Sequence, residues 1–127
     1  MLLVKIYVDV STIPGAGLGL FAGEPLAEGT VIWREHALFD LTFTQEQLEK
    51  LGRTYKPAME KIESFARFDG ERNLWVLPGD NARFMNHSET PNCDDSELYV
   101  TKTNRFIDAG EELTIDYRVF HTGDLGF

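Results

Sequence analysis

From Leu2 to Val10 an apolar residue falls at every second position. Leu2, Val4, Ile6, Val8 and Val10 alternate with Leu3, Lys5, Tyr7, Asp9 and Ser11. A period of two predicts a strand with one buried face. Pro14 and Gly15 break it, "GLGLFA" follows over Gly17–Ala22, and Gly23–Gly29 forms a turn before a strand from Thr30. The pattern then changes period. Thr44, with Gln47 three residues on, reads as a capping box that opens a short helix ending near Gly52. A second helix starts near Pro57, with Ala58, Ile62, Phe65 and Ala66 at helical spacing. After Gly70 the strands return. "NLWVL" is a short apolar run stopped by Pro78 and Gly79, and "ELYVTKT" alternates. A turn at Asp108–Gly110 leads into "ELTIDY", which places Leu113, Ile115 and Tyr117 on one strand face and Thr114 and Asp116 on the other. Many short strands with a helical insert at about residues 44–66 predict one mainly β (α+β) domain over 1–127, built of small sheets.

Composition narrows the partners. A net charge of −9 repels phosphate backbones, which argues against direct nucleic-acid binding. It suits a basic partner, and it would equally serve solubility alone. Cys93 is the single cysteine, so neither a disulfide nor a Cys-rich zinc site can form within the chain. This fits an intracellular, reducing compartment. The stretch "MLLVKIYVDV", interrupted by Lys5 and Asp9, is too short to span a bilayer and lacks a basic start and a cleavage site. No membrane association is expected.

Three stretches stand out as candidate chemistry. In "IPGAGLGLFA", Gly15, Gly17 and Gly19 permit tight turns and close backbone approach, although a glycine-rich hairpin alone accounts for them. "RFMNHSETPN", Arg83 to Asn92, is rich in turn formers. Its Asn86 can hold an amino or a carboxylate group, and His87 can serve as base, ligand or structural hydrogen-bonder. No second His, Cys or carboxylate stands at metal-ligand spacing, so no metal site is expected. In "GEELTIDY", Tyr117 ends an apolar strand, where a core tyrosine with its hydroxyl at the rim is the ordinary case.

Their order resembles that of the SET-domain protein lysine methyltransferases. "RF-x-NHS-x-x-PN" followed by "GEELTIDY" carries the resemblance, the glycine element supports it, and together they cover nearly the whole chain. The resemblance implies a β-clip of several small curved sheets with a knot-like arrangement near the C-terminus. It implies S-adenosylmethionine as cofactor, with Asn86 and His87 holding it, Arg83 and Phe84 supporting the site, and Gly17, Leu18 and Gly19 offering backbone. Tyr117 falls at the tyrosine beside the methyl-transfer channel, the catalytic position. The implied acceptor is a lysine of a basic protein or peptide, histone or histone-like. The competing readings are a non-catalytic module that binds a basic peptide, and a methyltransferase with a small-molecule or non-histone acceptor.

The chain also departs from the family. Many members have Cys after the Asn-His-Ser triplet and a zinc-binding cysteine cluster at the C-terminal end; here the position is Glu89, and no cluster follows. The expectation is a minimal form, like the small viral and bacterial members, without pre-SET or zinc-binding post-SET segments. Phe120 or Phe127 could then pack on the adenine side, with a frayed tail as the alternative, and a homodimer could complete the pocket. Where members often place a tyrosine before "DGERNLW", this chain has Phe65 and Phe68. His36 and His121 are expected to be rim residues, Trp33 and Trp75 core, and Cys93 inert. The location would be cytoplasmic in a bacterial source, and nuclear or chromatin-associated otherwise.

Overall fold

The alternating N-terminal stretch divides in two. In the computed structural model, which describes residues 1–97 and 99–117, strand β1 covers only Ile6–Val10. Ahead of it, Leu2 bridges to Trp33, and the Leu3 amide donates to the Ile32 carbonyl at 2.8 Å. Ile6 and Val8 pack on the core as their period predicts. Val10 does not: it is 71% exposed, opposite the exposed Leu18, where the hairpin runs past the edge of the core. Phe120, Phe127 and His121 lie outside the described residues.

Among the described residues, ten strands form three small sheets. The first has the order β1–β2–β10–β7, with β2 at Leu18–Ala22, β7 at Asn86–His87 and β10 at Glu112–Ile115. The second runs β3–β9–β8, from Val31–Arg34, Val100–Thr103 and Cys93–Asp94. The third runs β4–β6–β5, from Leu41–Phe43, Leu74–Leu77 and Arg67–Asp69. The main core lies between the first two sheets and includes Leu20, Ile32, Trp33, Met85, Ile107, Leu113 and Ile115. A second cluster joins Leu48, Phe68 and Trp75 beneath the helices. Both tryptophans are core residues.

The helical insert is α1, Gln45–Thr54, and α2, Lys56–Phe65. Its capping box is present: the Gln47 amide donates to Thr44 Oγ1 at 3.1 Å, and the Thr44 amide donates to Gln47 Oε1 at 2.9 Å. Helix α1 runs through Gly52 rather than ending there. A Cβ at Gly52 would lie 3.1 Å from Met59 Sδ, so the missing side chain lets the two helices close together.

Two strands differ from their sequence pattern. β9 begins at Val100, because Tyr99 takes a left-handed backbone, φ 70°. Its buried residues include Thr101 and Thr103. Thr101 donates to Asp95, and Thr103 Oγ1 donates to the Ala27 carbonyl at 2.8 Å while accepting from the Thr30 amide. In β10 both faces are covered, not one. Leu113 and Ile115 are fully buried, and Glu112 and Thr114 are buried on the opposite face, where Ser11 and Thr12 meet Glu112 and Asn92 meets Thr114.

Candidate active site

The Asn-His motif reaches Tyr117 through strand pairing. β7 runs parallel to β10, with Asn86 opposite Thr114 and His87 opposite Ile115. The Ser88 amide continues the ladder by donating to the Ile115 carbonyl at 2.9 Å. At the far end of the loop, buried Asn92 grips the same strand. Its Nδ2 donates to the Glu112 carbonyl at 2.8 Å, and its Oδ1 accepts from the Thr114 amide at 2.9 Å. The loop from Asn86 to Asn92 is therefore fastened to β10 at both ends. That is why a stretch of turn formers holds one shape.

Tyr117 follows this strand, and two hydrogen bonds help to hold it. Its hydroxyl donates to the Met85 carbonyl at 2.7 Å, and its amide donates to His87 Nδ1 at 3.0 Å. The His87 and Tyr117 ring centroids are 5.4 Å apart. Accepting at Nδ1 leaves the His87 ring to donate through Nε2. Burial pushes the Tyr117 phenol above its ordinary value, so it stays protonated at neutral pH.

The glycine element lies on the other side of β10. Gly17 takes a left-handed φ of 76°, with open space where a Cβ would point. Gly19 has the opposite situation: a Cβ there would lie 2.6 Å from Glu112 Oε2 and 3.4 Å from Asn86 Nδ2. The Leu18 carbonyl accepts from Asn86 Nδ2 at 2.9 Å, so this backbone group is committed to the motif. Asn86 Oδ1, by contrast, has no partner among the described residues.

Glu112 joins these parts, and the sequence reading passed over it. Its carboxylate accepts from Ser11 Oγ, the Thr12 amide, Thr12 Oγ1 and Asn86 Nδ2 at 2.7–3.1 Å. Burial alone would raise this carboxyl; the bonds from Thr12, Asn86 and Ser11 outweigh burial and hold it below the usual carboxylate range. The available signal was a charged residue opening the otherwise buried run "ELTI", which is costly without partners.

Arg83 and Phe84 contact the end of the insert. Phe84 meets Phe65 edge-on at 5.7 Å, and the Arg83 guanidinium lies 5.6 Å and 5.1 Å from the Phe65 and Phe84 ring centres. With Ile62, Leu77 and Pro78, Phe65 and Arg83 line a cavity of about 410 Å³. Phe68 packs on Trp75 at 5.2 Å in the second core cluster. Phe65 is therefore the phenylalanine beside the motif. Glu89 is exposed, and among the described residues no group of three or more His, Cys, Asp or Glu converges as a metal site.

The known proteins agree with this architecture. The SET domain family matches residues 17–118. Histone-lysine N-methyltransferase 2D of Homo sapiens and of Mus musculus are each 30% identical over 122 residues, covering 90% of this chain. This chain spans about 2% of the length of those relatives. Among solved structures, ctPRC2 in an autoinhibited conformation bound to S-adenosylmethionine superposes with a TM-score of 0.69 at 22% identity, over 90% of this chain and 15% of that one. A Plasmodium falciparum candidate histone methyltransferase gives a TM-score of 0.63 at 19% identity, over 91% of this chain and 94% of the other. The chain belongs to the SET-domain family.

Proposed function

We propose that the protein transfers the methyl group of S-adenosylmethionine to the ε-amine of a lysine in a basic, histone-like protein. The observation that carries this reading is the parallel pairing of β7 with β10, which gathers Asn86, His87 and Tyr117 into one site. Family membership and the histone-lysine methyltransferase relatives support the same reaction. The site fits the cofactor: Gly17 leaves open space beside the backbone, and the free Asn86 Oδ1 offers an acceptor. When bound, the cofactor supplies an electrophilic sulfonium methyl.

The chain's own task is to align and dry the amine. A lysine with an ordinary pKa near 10.4 is charged at neutral pH and has no lone pair to give. Desolvation against apolar walls such as Phe84 and the Tyr117 ring favours its neutral form. The Tyr117 proton is committed to the Met85 carbonyl, so toward the amine the phenol oxygen acts as an acceptor and not as a donor. Orientation of this kind is a large part of what a methyl-transfer site has to contribute. The net charge of −9 steers a basic substrate toward the domain.

The test is methyl transfer from labelled S-adenosylmethionine to core histones and to a basic protein extract, beside calorimetric binding of S-adenosylhomocysteine. A labelled protein band together with product binding is the expected result. A folded protein that neither binds the product nor labels any acceptor would overturn the reading in favour of a peptide-binding module.

A further inference from the structure

An amide side chain can present either its oxygen or its NH2 group to a ligand, and Asn86 has this choice made for it. Its Nδ2 lies 2.9 Å from the Leu18 carbonyl, 3.1 Å from Glu112 Oε2 and 3.3 Å from Ser11 Oγ. A carbonyl and a carboxylate only accept, so the nitrogen must face them. Ser11 spends its own proton on the Glu112 carboxylate, which leaves it to accept as well. The oxygen of Asn86 is what remains for the site, and it has no partner among the described residues. Glu112 is itself fixed by the Thr12 amide and hydroxyl, both at 2.7 Å. A side chain on Gly19 would strike the same carboxylate, so the glycine keeps that space clear.

We propose that Glu112 is a positioning residue that aims the Asn86 amide oxygen at the α-ammonium of the cofactor's amino-acid end. This rests on the cofactor reading above and deepens it. The sequence left open whether Asn86 holds an amino or a carboxylate group; the polarity imposed by Glu112 selects the amino group. The negative charge behind the amide favours a cation in front of it. Of the cofactor's groups, the α-ammonium is the one that is both cationic and an N–H donor.

Glu112→Gln tests this while keeping size and shape. It offers an NH2 group where Asn86 requires an acceptor, so the Asn86 amide reverses or turns away. The probes are S-adenosylhomocysteine, which carries the α-ammonium, and 5′-methylthioadenosine, which lacks the amino-acid arm. Binding is read by calorimetry. The expected result is a loss of about tenfold or more for S-adenosylhomocysteine, with 5′-methylthioadenosine unchanged. Equal losses for both ligands would show a general structural role and overturn the proposal, as would no loss for either. Should Glu112→Gln fail to fold, Thr12→Val removes one donor to the same carboxylate and is read identically, with a smaller expected loss. A wild-type protein that binds neither ligand overturns the cofactor reading and the proposal with it. Wild-type binding of both, followed by parallel losses, overturns this proposal alone.

Discussion

The Tyr117 hydroxyl donates a 2.7 Å hydrogen bond to the carbonyl of Met85. Met85 is buried at the end of a 3-10 turn, with its own amide bonded to the Ala82 carbonyl at 3.1 Å. The acceptor is therefore a fixed point, and the phenol is oriented before any substrate arrives. Tyr117→Phe removes the oxygen and leaves the ring packing. Methyl transfer should fall by about a hundredfold or more, as expected when a reacting amine loses its alignment. The orphaned Met85 carbonyl should cost about 1 kcal/mol of stability, with S-adenosylhomocysteine affinity changed less than twofold. Single-turnover transfer and calorimetry check these together, and full activity would remove Tyr117 from the mechanism.

Acid should loosen the clasp between the glycine element and Asn86. Burial works against the Glu112 carboxylate, but its hydrogen bonds from Thr12, Asn86 and Ser11 prevail, so the folded pKa lies below that of the unfolded chain. A depressed carboxyl contributes stability that is complete above the unfolded value, about 4.3, and is lost as pH falls through the folded value. The stability gap between wild type and Glu112→Gln should therefore be full at pH 6 and narrow progressively below about pH 4. Urea titrations across that range measure it, and a gap independent of pH would contradict the assignment.

A buried ion pair ties β5 to the segment that follows β8. Arg67 Nη1 lies 3.2 Å from Asp95 Oδ2, and its Nη2 donates to the Ala82 carbonyl at 3.2 Å. Burial pushes the Asp95 carboxyl up, while Arg67 and the Thr101 hydroxyl pull it back. Arg67→Met strands the carboxylate and should cost about 3–5 kcal/mol. Adding Asp95→Leu should recover most of that loss, since a buried pair is often replaced by apolar residues at little cost. Chemical denaturation of the single and double variants decides it; a double variant as unstable as the single one would show that Arg67 acts through its other contacts.

Gly79 is required for a different reason. A Cβ at this position would sit 1.6 Å from the Phe39 carbonyl oxygen, and the Gly79 amide donates to Asp40 Oδ1 at 3.2 Å. Gly79→Ala must push the two segments apart, with an expected cost of about 3 kcal/mol. An unchanged denaturation midpoint would mean that the segment around Phe39 yields freely.

What could be read from the sequence was local. The capping box of Thr44 and Gln47 needs only four residues, and it is present as expected. The three motifs and their order led to the family. Features made by distant segments were not visible. Val10 alternates correctly yet lies beyond the core, and Thr101 and Thr103 look solvent-facing yet are buried against Asp95 and the Ala27 carbonyl. Periodicity describes a strand's two faces but not what covers each of them. Glu112 meets partners 100 residues earlier in the chain, at Thr12, and Arg67 pairs with Asp95 across 28 residues. The choice between Phe65 and Phe68 likewise depended on how the insert folds back on the third sheet.

The position of β10 in the first sheet has a consequence for assembly. It pairs with β2, whose Leu20 faces Leu113, and with β7, whose Asn86 faces Thr114. On a ribosome, the glycine element and the Asn-His loop emerge well before the strand that joins them. Contacts so distant in sequence close late and slowly. The cofactor site is therefore a checkpoint of completion: a ligand that needs both halves binds the finished fold alone and draws the last step forward by mass action.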